Sequence, residues 1–172
     1  DIQKILTAVP GVYMRTEEGY GLRPNISIRG TAIERSAKVA IMEDGVLVAP
    51  SPYTSSSAYY FPTTGRIHSV EVLKGPAAVT QGPQTIGGAI NLISTPIPNA
   101  PSGKFVQELG ENGMMRTHAY YGGTSGNFGG LVEVHEHESD GFDSIANVGG
   151  DTGFDKSDLM LKGKYENGNH SL

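Results

Sequence analysis

The 172 residues predict an α+β domain, a small mixed sheet with short helices, over residues 1–98, and a run of antiparallel β-strands over residues 99–172. Charge divides the chain at that point. The first part carries 8 Lys and Arg against 7 Asp and Glu, the second 5 against 11, and glycine rises from 10 residues to 14 although the second part is shorter. The join, Pro96-Ile97-Pro98-Asn99-Ala100-Pro101, has three prolines and the composition of a linker. The apolar pattern changes there too, from short mixed signals to long runs that alternate with period two.

In the first part, Ile2, Ile5, Leu6 and Val9 are spaced as on one face of a short helix, which Pro10-Gly11 stops. Ile26-Ser27-Ile28 alternates as a strand and ends at Gly30. Val39 to Met42 is a second strand, closed by the turn signal Glu43-Asp44-Gly45. Pro50 to Thr64 is loop-like but holds Tyr53, Tyr59, Tyr60 and Phe61. Such rings either pin a loop to the sheet or offer a ligand an apolar face and a hydroxyl. Two apolar strands come next, Ser69 to Leu73 and Ala89 to Ser94, separated by Gly75-Pro76, Gly82-Pro83 and Gly87-Gly88. A strand followed by a Gly-rich loop raises the question of a phosphate cradle. That motif needs Lys and then Ser/Thr after its last glycine, whereas Ala89, Ile90 and Asn91 stand here. Arg29, Glu71 and Lys74 lie in or beside these strands, and each needs a counter-charge if it is buried.

In the second part, Phe128, Gly130, Val132 and Val134 share one strand face, while Leu131, Glu133, His135 and His137 share the other. Leu159, Leu161, Gly163 and Tyr165 oppose Asp158, Met160, Lys162, Lys164 and Glu166. Thr117, Ala119 and Tyr121 oppose Arg116, His118 and Tyr120. Runs of this length suit the roughly 9–11 residues with which a tilted strand crosses a bilayer. A soluble antiparallel sheet with one wet face alternates in the same way. The connections at Glu111–Gly113, Gly122–Asn127 and Glu166–Asn169 are short, and Ser139–Lys156 is a long loop rich in Asp.

Composition removes several function classes. The absence of Cys excludes disulfide scaffolds and cysteine-based metal or redox sites. No run of 18 apolar residues predicts a transmembrane helix, and the net charge of −5 argues against a nucleic-acid binder. No nucleophile elbow, zinc-protease motif or dinucleotide fingerprint is present, so no catalytic set and no cofactor are predicted. His135 and His137 could clamp a metal with a third ligand such as Glu133. With no third His or Cys nearby in the sequence, they read as polar residues of a strand's inner face, and no metal site is assigned. The Asp-rich loop lacks the EF-hand spacing. A start at Asp1 and an end just after a strand-like run are expected of a piece of a longer protein.

Taken in order, LTAVPGV at 6–12, ISIRGT at 26–31, EDGV at 43–46, SVEVLKGP at 69–76 and GPQTIGGAINLIS at 82–94 resemble the plug domain of TonB-dependent outer-membrane receptors. The chain beyond residue 102 looks like the first four or so strands of such a receptor's 22-stranded transmembrane β-barrel, incomplete here. The GPQTIGG stretch is most similar to the ferric citrate and related ferric siderophore receptors. The resemblance implies an outer-membrane receptor that imports a ferric chelate without catalysis, its plug inside the barrel. Other cargo in the same family would be cobalamin, a copper complex, haem or an oligosaccharide. From a different class, a soluble periplasmic β-rich binding module is the alternative.

The implied partners are TonB with its inner-membrane energising complex, acting through a box upstream of Asp1, together with the chelate and outer-membrane lipid. The resemblance makes Arg29 and Lys74 the basic residues that pair with the barrel wall, with Glu71 in the same charged cluster. By position, Tyr20, Arg35, Tyr53, Tyr59 and Tyr60 lie on plug loops that form part of the cargo pocket. Gly30, Gly45, Gly75, Gly82, Gly87 and Gly88 become tight turns in a domain that must fit inside a pore.

Overall fold

The computed structural model describes residues 2–16, 21–48, 61–83, 85–142, 144–145, 150–167 and 170–171. The chain divides into two compact units, Asp1–Thr95 and Pro96–Leu172.

The first unit opens with helix α1 (Ile2–Thr7), which buries Ile2 and Leu6 as the apolar spacing predicts. Strands β1 (Val12–Thr16) and β2 (Pro24–Ile28) then form a two-stranded antiparallel sheet. β1 is absent from the sequence reading, in which Pro10-Gly11 only ends a helix. In the structure that turn also reverses the chain, and the N–H of Arg29 reaches back to the Gly11 carbonyl at 2.7 Å. The far edge of β2 is closed by Ser36, a buried residue in a single 3-10 turn (Glu34–Ser36), whose Oγ accepts the Ile26 N–H at 2.9 Å.

The main sheet has four strands in the order β4-β3-β6-β5. β3 (Val39–Glu43) runs parallel to β6 (Gly88–Ser94), while β4 (Val46–Leu47) and β5 (Ile67–Lys74) are antiparallel to their neighbours. The sheet is therefore mixed, as the sequence predicts, but its helical partners are mostly short 3-10 segments. Both faces of the central strands are buried, as is usual for parallel pairs. Val39, Ile41, Ile90 and Leu92 on one face meet Ile2, Leu6, Val12, Ile26, Ile28 and Phe61. On the other face the smaller Ala40 and Ala89, with Met42, meet Ala78 from the 3-10 segment Pro76–Gln81.

Asp44 and Gly45 join β3 to β4 with φ of 49° and 81°. Two positive φ values in a two-residue hairpin define the type I′ turn that Asp-Gly favours. Gly88 meets a different demand. A Cβ there would stand 2.5 Å from the Leu73 carbonyl oxygen and 2.9 Å from Ile28 Cδ1, at a φ of 147°, so only a residue without a Cβ lets β6 start in that register.

The second unit is a five-stranded antiparallel sheet in the order β13-β12-β9-β8-β7. Its strands are β7 (Ser102–Leu109), β8 (Met115–Ser125), β9 (Phe128–Ser139), β12 (Phe154–Asn167) and the two-residue β13 (His170–Ser171). A small hairpin, β10 (Ser144–Ile145) with β11 (Gly150–Asp151), interrupts the long loop. The three long runs read from the alternation are all strands, each longer than its apolar pattern alone indicates. Backbone pairing continues past the last apolar residue wherever a neighbouring strand supplies partners.

Candidate functional site

In the first unit, two of the three charged residues singled out from the sequence come to one place. Arg29 follows β2 at φ 54°, with its backbone on Gly11 and its guanidinium Nη1 over Gly75, 3.3 Å from where a Cβ would be. Lys74, at the end of β5, donates from Nζ to the Pro10 carbonyl at 3.0 Å. Both residues thus bond the Pro10-Gly11 turn, Arg29 through its backbone and Lys74 through its ammonium, and among the described residues neither has an acidic partner.

Glu71 does not join them. On a strand, residues three apart point to opposite faces, and Glu71 is exposed, accepting from Asn91 Nδ2 at 3.0 Å. Asn91 Oδ1 in turn accepts the Gly45 N–H at 2.9 Å. Tyr20, Tyr53, Tyr59, Tyr60 and the side chain of Arg35 lie outside the described residues.

The structure adds a charged hub that the sequence reading passed over. Arg66, only 3% exposed, pairs with Glu43 at the end of β3. The neighbouring Asp44 accepts the Ser94 N–H at 2.9 Å and also bonds the Ser94 hydroxyl. Thr95 Oγ1 donates to the Arg66 carbonyl at 3.3 Å. The Glu-Asp-Gly stretch is therefore more than a turn. Its two carboxylates tie the ends of β3 and β6 to the approach to β5.

The second unit has its faces inverted relative to a sheet in water. Across β7, β8, β9 and β12, the register sets Phe105, Ala119, Val134 and Leu159 in one row and Gly103, Tyr121, Val132 and Leu161 in the next. Leu159 and Leu161 are 65% and 70% exposed, and Phe105, Tyr121 and Phe128 are exposed as well. On the opposite face Glu133, His135, His137 and Ser139 are buried. A protein in water buries the apolar face and pairs or exposes the polar one. The opposite arrangement is that of a barrel strand, apolar toward lipid and polar toward the interior. The apolar rows stop at Gln107, Thr117, Glu136 and Ser157, next to a row that includes Glu138 and Asp155.

The polar face is itself ordered by pairing. His118 Nε2 lies 2.7 Å from Glu133 Oε1, and Arg116 bonds Glu108 at 2.8 Å. The His137 ring meets Phe154 edge-on, with centroids 4.7 Å apart. His118 comes opposite His135, a neighbour that the search for a third His along the sequence passed over. Counting back from the two-residue Gly126-Asn127 turn pairs the two, so a signal for it existed. Among the described residues no set of three His, Asp or Glu is closed on a common point that would hold a metal ion.

Comparisons with known proteins agree with this architecture. The family model described as the TonB-dependent receptor plug domain matches residues 1–89. The vitamin B12 transporter BtuB of Photobacterium profundum is 28% identical over 186 aligned residues, which cover 97% of this chain and 30% of that protein. The solved structure of the ferric yersiniabactin uptake receptor FyuA from Yersinia pestis aligns with 95% of this chain and 26% of its own, at a TM-score of 0.73 and 23% identity. The pyoverdine outer membrane receptor FpvA from Pseudomonas aeruginosa PAO1, bound to pyoverdine, aligns with 97% of this chain and 23% of its own, at a TM-score of 0.72 and 18% identity. The chain thus spans less than a third of the length of each of these three, and the two structures speak for the fold: a small mixed plug sheet followed by early barrel strands. With the family model covering more than half of its residues, the chain belongs to the TonB-dependent receptor plug domain family, proteins of the outer membrane.

Proposed function

We propose that this chain is the plug and the first barrel strands of an outer-membrane receptor that imports a ferric chelate, energised by TonB from the periplasmic side. The observation that carries the reading is the second sheet, which exposes its apolar rows and buries its polar ones. A plug followed in the chain by such strands serves passage across a membrane, with binding and displacement in place of bond chemistry. For the cargo, Arg35 and the tyrosines at 20, 53, 59 and 60 form a set suited to an anionic chelate. Arginine supplies charge and a planar fork, and tyrosine a stacking face and a hydroxyl. Arg29 and Lys74, two basic residues that both bond one turn of the plug, are suited to acidic side chains on the wall of the complete barrel. Glu71 is the plug's acidic contribution on the other sheet face.

A second reading, cobalamin as cargo, is favoured by the likeness to the vitamin B12 transporter. The two separate in a binding assay of the full-length receptor with ferric citrate, a ferric siderophore, cyanocobalamin and haem. The expected result is tight binding of a ferric chelate that weakens about tenfold or more in Arg35→Ala and Tyr53→Ala, each removing a hydrogen-bonding or stacking group. Tight cobalamin binding without any ferric chelate would replace the first reading by the second. Unchanged affinity in both variants would remove these loops from the pocket.

A further inference from the structure

We propose that the lipid-facing side of the second unit holds one acyl chain of a glycerophospholipid of the periplasmic leaflet, in a groove on β8 and β9 floored by Gly123 and Gly130. The proposal rests on the reading of these strands as barrel wall and is independent of the cargo.

The register builds the groove. Gly123, Gly130 and Gly163 pair across β8, β9 and β12 in one row, with no break in the ladder. Tyr121, Val132 and Leu161 form the row on one side of it, and Ser125, Phe128 and Tyr165 the row on the other. The rings of Phe128 and Tyr165 lean together, with centroids 4.9 Å apart. Glycine inside a strand marks a bulge, a bend or a place where another group comes close. At Gly123 that group is the chain itself, since a Cβ would stand 2.9 Å from Pro101 Cα. Over Gly130 and Gly163 none of the described residues takes the place. The nearest atom to a Cβ on Gly130 is the Lys162 carbonyl oxygen of the same sheet, at 3.7 Å, and nothing lies within 4 Å at Gly163. The result is a groove of about 610 Å³, walled by Tyr121, Val132, Leu161 and Phe128, with Pro101 beside Gly123. All four wall side chains are exposed.

The width suits a single chain. Side chains on one face repeat about every 6.7 Å along a strand, so the rows flanking the glycines stand about 13 Å apart. Branched and aromatic side chains fill a few ångströms from each wall. What remains admits one polymethylene chain with carbon contacts of about 3.5–4.0 Å on both sides.

Position says which lipid. The Gly126-Asn127 turn joins β8 to β9 next to the groove, whereas β9 reaches β12 through the long connection at the other end. Short turns of such barrels face the periplasm and long loops the outside. The glycine row is the second from the short-turn end, and so lies in the periplasmic leaflet, just inside the Phe128–Tyr165 ring pair. Its walls are apolar or aromatic, so the chain is gripped and the headgroup is not. Lipid chains are as apolar as these side chains, and the grip comes from packing contacts.

The test uses the full-length receptor in vesicles of phosphatidylethanolamine and phosphatidylglycerol, with a trace of phospholipid carrying a photoreactive diazirine in mid-chain. After illumination, adducts are mapped by residue. Those on Tyr121 and Val132 should exceed those on Ala119 and Val134, the next row, by about fivefold, the scale of roughly ten carbon contacts. Gly130→Leu fills the floor and should bring the two rows to parity, as should the smaller Gly130→Val. Ala119→Leu, which adds the same bulk outside the groove, should leave the excess in place, and so should exchanging the probe's headgroup. The heat-modifiable gel mobility of the folded barrel identifies which variants have folded. Equal labelling of both rows in the wild-type protein, an excess that follows the headgroup, or an undiminished excess in a folded Gly130 variant would each overturn the proposal. Absence of adducts from both rows would overturn the lipid-facing reading itself, and the groove with it.

Discussion

Replacing Gly88 by Ala is the sharpest test of how the plug sheet is put together. The new Cβ would lie 2.5 Å from the Leu73 carbonyl oxygen and 2.9 Å from Ile28 Cδ1, on a backbone with φ of 147°. The backbone conformation costs an L residue about 1–3 kcal/mol. Forcing a methyl group against β5 and the core costs about another 1–3 kcal/mol. Gly45→Ala provides the comparison, because Gly45 also has positive φ, 81°, but nothing lies within 4 Å of its Cβ position. There the backbone cost of about 1–2 kcal/mol acts alone. A domain of this size is worth about 5–14 kcal/mol in total, so the two substitutions should separate clearly. In urea unfolding of residues 1–98 followed by circular dichroism, with m of about 1–2 kcal/mol/M, the midpoint should fall by roughly 2 M for Gly88→Ala and by about 1 M for Gly45→Ala. Equal falls would refute the close approach of β6 to Leu73 and Ile28, and with it the register of the β5–β6 pair.

Two further outcomes rest on the same geometry. Glu43→Ala removes the carboxylate that pairs with the guanidinium of Arg66, which is 3% exposed, and should cost about 3 kcal/mol in the same unfolding assay, Glu43→Gln less because an acceptor remains; a loss under about 0.5 kcal/mol for the alanine variant would mean the pair contributes little. Leu161→Arg lies in the middle of the exposed apolar rows and should destabilise the receptor refolded in lipid vesicles by about 2–4 kcal/mol. Met160→Arg, one residue along on the polar face, should be tolerated. A water-facing sheet would instead shrug off Leu161→Arg to within about 0.5 kcal/mol.

Much of the fold was legible because its signals are local. Period-two alternation marks a strand within a few residues, and Asp44-Gly45 can close a hairpin whatever surrounds it. The helix at Ile2–Thr7 and the strands at Val39–Glu43, Ile67–Lys74 and Gly88–Ser94 follow the apolar spacing. β1 was missed because five residues after a Pro-Gly stop carry too little pattern of their own. It becomes a strand by pairing with β2, and pairing is a property of two segments. One site relation could also have been read without coordinates: Glu71 and Lys74, three apart on a strand, must face opposite ways.

By itself, then, the sequence determined the two-part organisation, the order of the plug motifs, and which strand faces are apolar, since each rests on neighbours in the chain. Only the tertiary structure decided which face is buried, because alternation is the same whether water or lipid lies outside. It also decided that Arg66 reaches Glu43 across 23 positions and that Arg29 and Lys74 meet on the Pro10-Gly11 turn. Contacts between distant segments depend on register and packing against the whole core, and these are set when the sheet forms.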